Sequence, residues 1–322
     1  MLSWLKKGRQ DYKPMTQTRH LENLIYSRIF RFDHLDIQEI DNEPAVKIFS
    51  ESVLEQEICL FANTVRHGDD YCSLLHEKVT KALTDHRPLP IVRFADGEYA
   101  FYRYTLGCNG LYKQAESVET IRKTMSVHFA AMEYLAGHGF FAPLVFPGNS
   151  QTPSASMFSF KKQKPDSSGA SFLDFLHANH INLTADNYVP FYAVYAYLSS
   201  PDFAAAINGK KICILNSEYN EESCRAWFTQ LNSHPLLSFV DIPAEYVATR
   251  WEEYKKEILN RIDPATDLCL AGAGVGALLI CADVASTFSI PAIDAGHVLN
   301  MMNNRVDKSN GARLYTLRKN HE

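Results

Sequence analysis

Short apolar runs alternate along most of this chain with segments in which apolar residues recur at helical spacing. The runs at residues 140–145, 212–215 and 268–271 carry apolar side chains at successive positions. A strand that is apolar on both faces has to be covered on both faces, as in a parallel sheet with helices packed on each side. The sequence therefore predicts an α/β protein with a mostly parallel, Rossmann-like sheet flanked by helices.

The alternation begins near residue 68 and divides the chain into two predicted parts. Residues 1–67 mix short apolar patches with charges and are predicted to form an N-terminal helical extension, followed by an α/β domain at residues 68–322. The Ser-, Lys- and Pro-rich stretch at residues 151–168 is predicted to be a loop. The predicted strands span residues 91–94, 140–145, 188–195, 211–216, 237–242, 268–271 and 290–294.

The composition argues against two classes of protein. A formal net charge of −5 does not suit a general nucleic-acid binder, which would carry a basic patch. No apolar stretch approaches the roughly 20 residues of a membrane span. Trp4 and Leu5 lie beside basic residues, so the N-terminus could contact an anionic membrane surface. The alternative is a frayed terminus. Seven cysteines without a C-x-x-C pair predict buried free thiols, a reducing compartment and hence a cytoplasmic location.

Two carboxylates, Asp96 and Glu98, directly follow the predicted strand at residues 91–94 and are separated by Gly97. Such a pair can share one Mg²⁺ or Mn²⁺ and leave open positions that substrate phosphates can fill. Gly97 is expected to let the backbone turn sharply. The alternative is structural: Asp96 would cap the helix that begins near Gly97, and Glu98 would lie in its first turn.

A glycine-rich turn follows the predicted strand at residues 268–271 and contains Gly272, Gly274 and Gly276. Such a turn lets backbone N–H groups approach a phosphate at a helix N-terminus. Tight packing of the next helix on the strand would require the same glycines. The turn lacks both the G-x-G-x-x-G spacing and the Lys-Ser/Thr of a P-loop.

The next predicted strand ends at Asp294, and His297 follows it. Because every β-to-α turn of a parallel sheet emerges at one edge, Asp96, Glu98, the glycine-rich turn, Asp294 and His297 are predicted to line one crevice. His297 is a candidate metal ligand, phosphate donor or base, with a helix-capping residue as the alternative.

Further candidates lie near this predicted crevice. Arg93 belongs to an apolar strand, and a buried guanidinium needs a phosphate or a carboxylate partner such as Asp96 or Glu98. The aromatic residues that could stack on a base or sugar, or pack in the core, are Phe191, Tyr192, Tyr195 and Tyr197. The rim carboxylates that could act as a base, or be solvated charges, are Glu218 and Glu221.

The segment at residues 93–98 (RFADGE) resembles the R-F-G-D-G-E signature of the GT-D-type glycosyltransferases. Residues 272–274 resemble that family's G-P-T loop, and residues 292–297 resemble its A-x-D-x-G-H stretch. The specific similarity covers residues 89–104 and 267–300. The chain departs from the family pattern in having alanine at position 95, in lacking the Pro-Thr of the loop, and in lacking the acidic and aromatic residues after the histidine.

The resemblance implies a GT-D-like catalytic domain in which Asp96 and Glu98 hold Mn²⁺ or Mg²⁺ and the donor diphosphate. Together with His297 they form the predicted catalytic set. The predicted donor- and phosphate-binding residues are Arg93, Gly272, Gly274, Gly276 and Asp294. The implied partners are a nucleotide-sugar donor, expected to be a UDP-sugar, and a glycan or glycoprotein acceptor.

Two other functions are compatible with the sequence. A phosphosugar- or nucleotide-handling hydrolase or isomerase could use the same glycine-rich turn, and it would tolerate loss of the metal or release free sugar without an acceptor. A non-catalytic relative could bind a nucleotide-sugar as a partner module. The presence of Arg93, Asp96, Glu98, Asp294 and His297 argues against this last alternative.

Overall fold

The computed structural model describes residues 46–49, 55–58, 68–110, 112–145 and 169–303. The strands are β1 (Val46–Phe49), β2 (Glu55–Ile58), β3 (Leu89–Phe94), β4 (Phe140–Pro143), β5 (Lys211–Asn216), β6 (Leu236–Asp241), β7 (Leu268–Gly272) and β8 (Pro291–Asp294). The helices are α1 (Gly68–Asp85), α2 (Asp96–Tyr102), α3 (Val118–His138), α4 (Gly169–Ala178), α5 (Phe191–Leu198), α6 (Pro201–Ala206), α7 (Glu221–Gln230), α8 (Val247–Asn260), α9 (Ala277–Phe288) and α10 (Gly296–Met302). Short 3₁₀ turns span Leu106–Asn109 and Gly274–Gly276.

Strands β3 to β8 form one six-stranded sheet in the order β4-β3-β8-β7-β5-β6. Every neighbouring pair in this sheet is parallel, which confirms the predicted α/β class. The order places β8, the last of the described strands, beside β3, the first strand of this sheet, with Ile91 opposite Ile293. The carboxyl ends of β3, β8, β7 and β5 therefore lie side by side at one edge.

Both faces of the sheet are buried, as the continuous apolar strands predict. Successive residues of β3 and β5 alternate between two hydrophobic clusters: Ile91 and Ile212 belong to one, and Val92 and Cys213 to the other. One cluster packs against α1, α5, α6, α7 and α10, and the other against α2, α3, α4, α8 and α9. Of the described helices, none is both long and apolar enough to span a bilayer.

Eight residues of the predicted N-terminal extension are described. Strands β1 and β2 pair antiparallel as a separate two-stranded sheet, with Val46 opposite Ile58, so these eight residues are not helical, and the helical extension as a whole stays a prediction. The remainder of residues 1–67, and the predicted loop at residues 151–168, lie outside the described residues.

The predicted strand at residues 188–195 is instead largely helix α5, which is a correction. Pro190 precedes the helix in extended backbone conformation, and all eight helical side chains are buried. A short run that is apolar all round fits a buried helix as well as a buried strand, so periodicity does not distinguish the two. Tyr188 keeps a single parallel bridge, to Phe141 of β4.

A fully buried histidine, His128, joins α3 to α8. Its Nε2 donates to the carbonyl oxygen of Ala248 at 2.8 Å, which leaves Nδ1 to accept from the hydroxyl of Tyr102 at 3.0 Å. The ring also packs on Phe101, with 4.8 Å between the ring centroids. Burial lowers the pKa of His128 to about 4, despite the hydrogen bond to Ala248.

The histidine should make the stability of the protein depend on pH. An unfolded chain protonates histidine near pH 6.5, above the folded-state pKa, so the folded state loses stability as the pH falls from 7 to 5. We expect His128 to contribute a loss of about 2 kcal/mol over this range. Urea unfolding of wild type and His128→Gln at both pH values measures it, because glutamine does not titrate. Equal pH dependence in the two proteins would contradict the prediction.

Candidate functional site

A cavity of about 440 Å³ opens at the carboxyl edge of the sheet. Seven of the eight predicted site residues line it: Arg93, Asp96, Glu98, Gly272, Gly274, Asp294 and His297. The predicted convergence of these remote segments on one crevice is therefore confirmed. Gly276 is the exception, because it is buried behind the turn and is not part of the cavity wall.

The Asp96-Gly97-Glu98 run begins helix α2 directly after β3. Ala95 is the N-cap residue, and Glu98 reaches back so that its Oε2 accepts a hydrogen bond from the Ala95 N–H at 2.9 Å. The capping function therefore belongs to Glu98, and the alternative of Asp96 as the cap is wrong. The Asp96 carboxylate is exposed to the cavity and makes no hydrogen bond or ion pair within the described ranges.

Gly97 does not have the conformation expected of it. Its φ is not positive, and a Cβ added there would meet no atom within 4 Å. The sharp turn predicted for the glycine is therefore not what the backbone requires. The missing side chain instead leaves open space at the cavity wall.

Negative charge accumulates around Glu98. The pKa of this half-buried carboxyl is raised to about 7, chiefly by burial. The Ala95 hydrogen bond opposes the shift, and the charges of Asp294 and Asp96 add to it. Carboxylates that raise one another's pKa create a potential that favours a bound cation. Within the described residues, however, no group of three or more His, Cys, Asp or Glu side chains is placed to hold a metal ion.

Arg93 and Asp294 form an ion pair that is more than nine-tenths buried. The guanidinium donates from Nη2 to Oδ1 at 2.8 Å and from Nε to the Asp294 carbonyl oxygen at 2.9 Å. The Arg93 backbone N–H donates to Oδ2 at 3.3 Å. The structural partner of Arg93 is thus Asp294, and neither Asp96 nor Glu98 takes that place. Burial alone would lower the pKa of Arg93, but the attraction of Asp294 outweighs it and raises the pKa.

Gly296 is required by this ion pair. Its φ is +34°, and a Cβ added there would overlap Nη2 of Arg93. The glycine therefore lets the start of α10 lie directly against the guanidinium.

The four aromatic candidates on α5 divide into two groups. Phe191 and Tyr195 line the cavity, and the guanidinium carbon of Arg93 lies 5.2 Å and 4.4 Å from their respective ring centroids. Tyr192 and Tyr197 do not line the cavity and pack in the hydrophobic core. Phe191 and Tyr195 thus lie where they could stack on a ligand, whereas Tyr192 and Tyr197 pack in the core.

The glycine-rich turn is explained by packing. A Cβ at Gly272 would come within 2.9 Å of Leu299, and one at Gly276 within 2.6 Å of Val247. Gly274 has φ +53° and lies against the side chain of Gln114. The Oε1 of Gln114 accepts from the Val275 N–H at 3.0 Å, so one N–H group of the turn is already bonded. The phosphate-binding role of these glycines stays a prediction.

The rest of the cavity wall is formed by residues outside the predicted site set. Glu218 lines the cavity as expected of a rim carboxylate, whereas Glu221 lies outside it and pairs with Arg225 at 3.5 Å. The wall residues that the sequence did not predict include Asn216, Ser217, Tyr112, Lys113 and Gln114. The segment that carries Tyr112 to Gln114 follows α2 without helix or strand periodicity, and its exposed tyrosine is the one signal of a surface role.

Comparison with known proteins gives a weak result. No protein-family description matches the chain, and no curated protein sequence matches it. Two solved structures do, described as "Selenomethionine substituted structure of domain of unknown function 1792 (DUF1792)" and "The highly conserved domain of unknown function 1792 has a distinct glycosyltransferase fold". In each case the identity is 14%, the match covers 72% of this chain and 83% of the other, and the TM-score is 0.40. A likeness this low carries no argument about the chemistry of the site.

The buried ion pair should contribute strongly to stability. Asp294→Asn leaves the Arg93 charge buried without its counter-charge, so we expect the free energy of unfolding in urea to fall by about 3–5 kcal/mol. Glu119→Gln is the control, because it breaks the exposed Glu119–Lys123 pair and should leave stability nearly unchanged. A loss for Asp294→Asn as small as that of the control would show that the pair does not hold β3 and β8 together.

Proposed function

We propose that this protein is a metal-dependent glycosyltransferase that takes its sugar from a nucleoside-diphosphate donor. The observation that carries the proposal is the placement of Asp96 and Glu98, two carboxylates at the end of a central parallel strand, in the same 440 Å³ cavity as His297. Ligand sites in parallel α/β sheets lie in this crevice, and the volume is within the range of small-molecule sites. The resemblance of residues 93–98 to the GT-D signature supports the same reading.

The two carboxylates fit a cation that is shared with the substrate. Both oxygens of Asp96 are available, and Glu98 uses Oε2 for the Ala95 N–H while Oε1 remains. Mg²⁺ and Mn²⁺ sites of phosphate-handling enzymes take one or two protein carboxylates and complete their coordination with phosphates and water. The described residues bring no third His, Cys, Asp or Glu side chain to this pair, so binding of cation and diphosphate should be mutually dependent.

In the proposed reaction a bound Mg²⁺ or Mn²⁺ would neutralise charge on the departing nucleoside diphosphate as the bond to sugar C1 breaks. The chain's own residues supply the remaining functions. The cavity wall orients the donor, and a rim side chain, His297 or Glu218, accepts the proton of the acceptor hydroxyl. The acceptor is a glycan or glycoprotein.

Asp96→Asn and Glu98→Gln should abolish cation-dependent nucleotide binding. In wild type we expect UDP to raise the melting temperature when Mn²⁺ is present and to have little effect in EDTA. Both variants lose the charge that pairs with the cation and should lose the shift. Their melting temperatures without ligand should stay close to wild type, because Asp96 makes no contact to lose and glutamine can still accept from the Ala95 N–H.

Asp202→Asn is the matched control, since Asp202 is an exposed acidic residue in the first turn of α6 and lies outside the cavity. It should keep the full shift with UDP and Mn²⁺. Unchanged metal dependence in Asp96→Asn would rule out the two-carboxylate site. Release of free sugar from a UDP-sugar without metal would favour the hydrolase alternative.

His297→Ala should reduce sugar transfer by about 10²–10⁴-fold, which is the usual contribution of a side chain that moves a proton in the transition state. Because His297 is a half-buried rim residue, its melting temperature should stay within a few degrees of wild type. Release of UDP from a UDP-sugar, followed alongside thermal unfolding, measures both quantities. Full activity in the variant would remove His297 from the catalytic set.

A further inference from the structure

Four buried residues of the cavity wall together carry no net charge. They are Arg93, Asp294, Phe191 and Tyr195, and this group is called the buried end below. The positive charge of Arg93 is cancelled by Asp294 through the 2.8 Å ion pair. The two aromatic rings flank the guanidinium, so apolar surface surrounds the pair. Such a surface does not favour an anion, and its polar atoms are suited to a neutral polar ligand.

The hydroxyl of Tyr195 is a polar group without a hydrogen bond at this end. Tyr195 is 2% exposed, and its hydroxyl oxygen is buried and has no hydrogen-bond partner within the described residues. The guanidinium carbon of Arg93 lies 4.4 Å from the centroid of the tyrosine ring, and the nearby tyrosine contributes to the raised pKa of Arg93. A buried hydroxyl without a hydrogen bond lowers the stability of the protein. A ligand that forms a hydrogen bond with this hydroxyl removes that penalty.

Arg93 also has a guanidinium nitrogen, Nη1, that can donate a hydrogen bond. Its Nε and Nη2 are engaged by Asp294, whereas no hydrogen bond of Nη1 is found within the described part of the chain. A guanidinium has five N–H donors in a fixed plane, so the Nη1 edge can still donate. Nη1 and the Tyr195 hydroxyl are therefore two neighbouring groups that one ligand oxygen could satisfy.

We propose that the buried end binds the sugar ring of the donor through a hydroxyl group that pairs with Tyr195 and Arg93. This inference rests on the proposed function and refines it, because it assigns Arg93 and Asp294 to the sugar in place of the phosphates. A sugar hydroxyl both donates and accepts, which suits a tyrosine hydroxyl and an arginine N–H together. Tyr195 is then a residue that selects the donor.

The geometry of the cavity supports this order of subsites. Arg93 lies two residues before Ala95, whose N–H donates to Glu98, and all three residues line the cavity, so the buried end adjoins the carboxylates that are proposed to hold the cation and diphosphate. A phosphate placed at the buried end would face Asp294 without net positive charge to compensate. A neutral ring beside the diphosphate meets no such repulsion.

The test compares nucleotide with nucleotide-sugar. By calorimetry with Mn²⁺, Tyr195→Phe should bind UDP as wild type does, but should bind the tightest of UDP-glucose, UDP-galactose and UDP-N-acetylglucosamine about tenfold more weakly. Tyr197→Phe is the matched control, since its hydroxyl is equally buried and without a partner within the described residues but lies outside the cavity. It should leave both affinities unchanged.

Three results separate this inference from the proposed function. If Tyr195→Phe weakens UDP and UDP-sugar equally, or weakens neither, the sugar assignment is wrong while the glycosyltransferase proposal stands. If wild type binds no UDP with Mn²⁺, the proposed function fails. A thermal-shift titration with free glucose, galactose and N-acetylglucosamine then decides the inference: stabilisation that is lost in Tyr195→Phe but kept in Tyr197→Phe supports it, and no stabilisation overturns it.

Discussion

The buried ion pair between Arg93 and Asp294 is the interaction on which the site depends. It joins the ends of two neighbouring strands, β3 and β8, that are 201 residues apart in the chain. A buried charge without its partner is strongly unfavourable, so the two strand ends are held in one relative position. Asp96 and Glu98 follow one of these ends and His297 follows the other. The geometry of the candidate site is therefore a consequence of this pair, and Gly296 is present because a side chain there would displace the guanidinium.

The two carboxylates of the site have different structural environments. Glu98 is held by the Ala95 N–H, and its pKa is raised by burial and by neighbouring negative charge. Asp96 is exposed and makes no contact that would fix it in the described part of the chain. Under the proposed function, Glu98 would be preorganised by the helix start, and Asp96 would be able to adjust to the cation and the phosphates. Such a pair would suit a metal that arrives with its substrate.

The glycines of the glycine-rich turn are required by packing. Its three glycines are each explained by a close neighbour, and Gln114 occupies one of its N–H groups. The turn still shapes the cavity, because Gly272 and Gly274 belong to its wall. Its contribution to the site is space and a fixed position for α9, and a role in binding phosphate does not follow from the glycines themselves.

The sequence by itself determined the α/β class, the parallel sheet and the convergence of Asp96, Glu98, Asp294 and His297, because continuous apolar strands must be covered on both faces and parallel strands end at one edge. It did not determine that α5 is a helix, since a short run that is apolar all round has no distinguishing period. The tertiary structure alone decided that Asp294 pairs with Arg93, that Glu98 caps α2, and that Tyr195 and not Tyr197 reaches the cavity. Local sequence patterns indicate whether a residue such as Arg93 is buried. They do not identify its partner Asp294, which is 201 residues away and is brought close only when the whole chain packs.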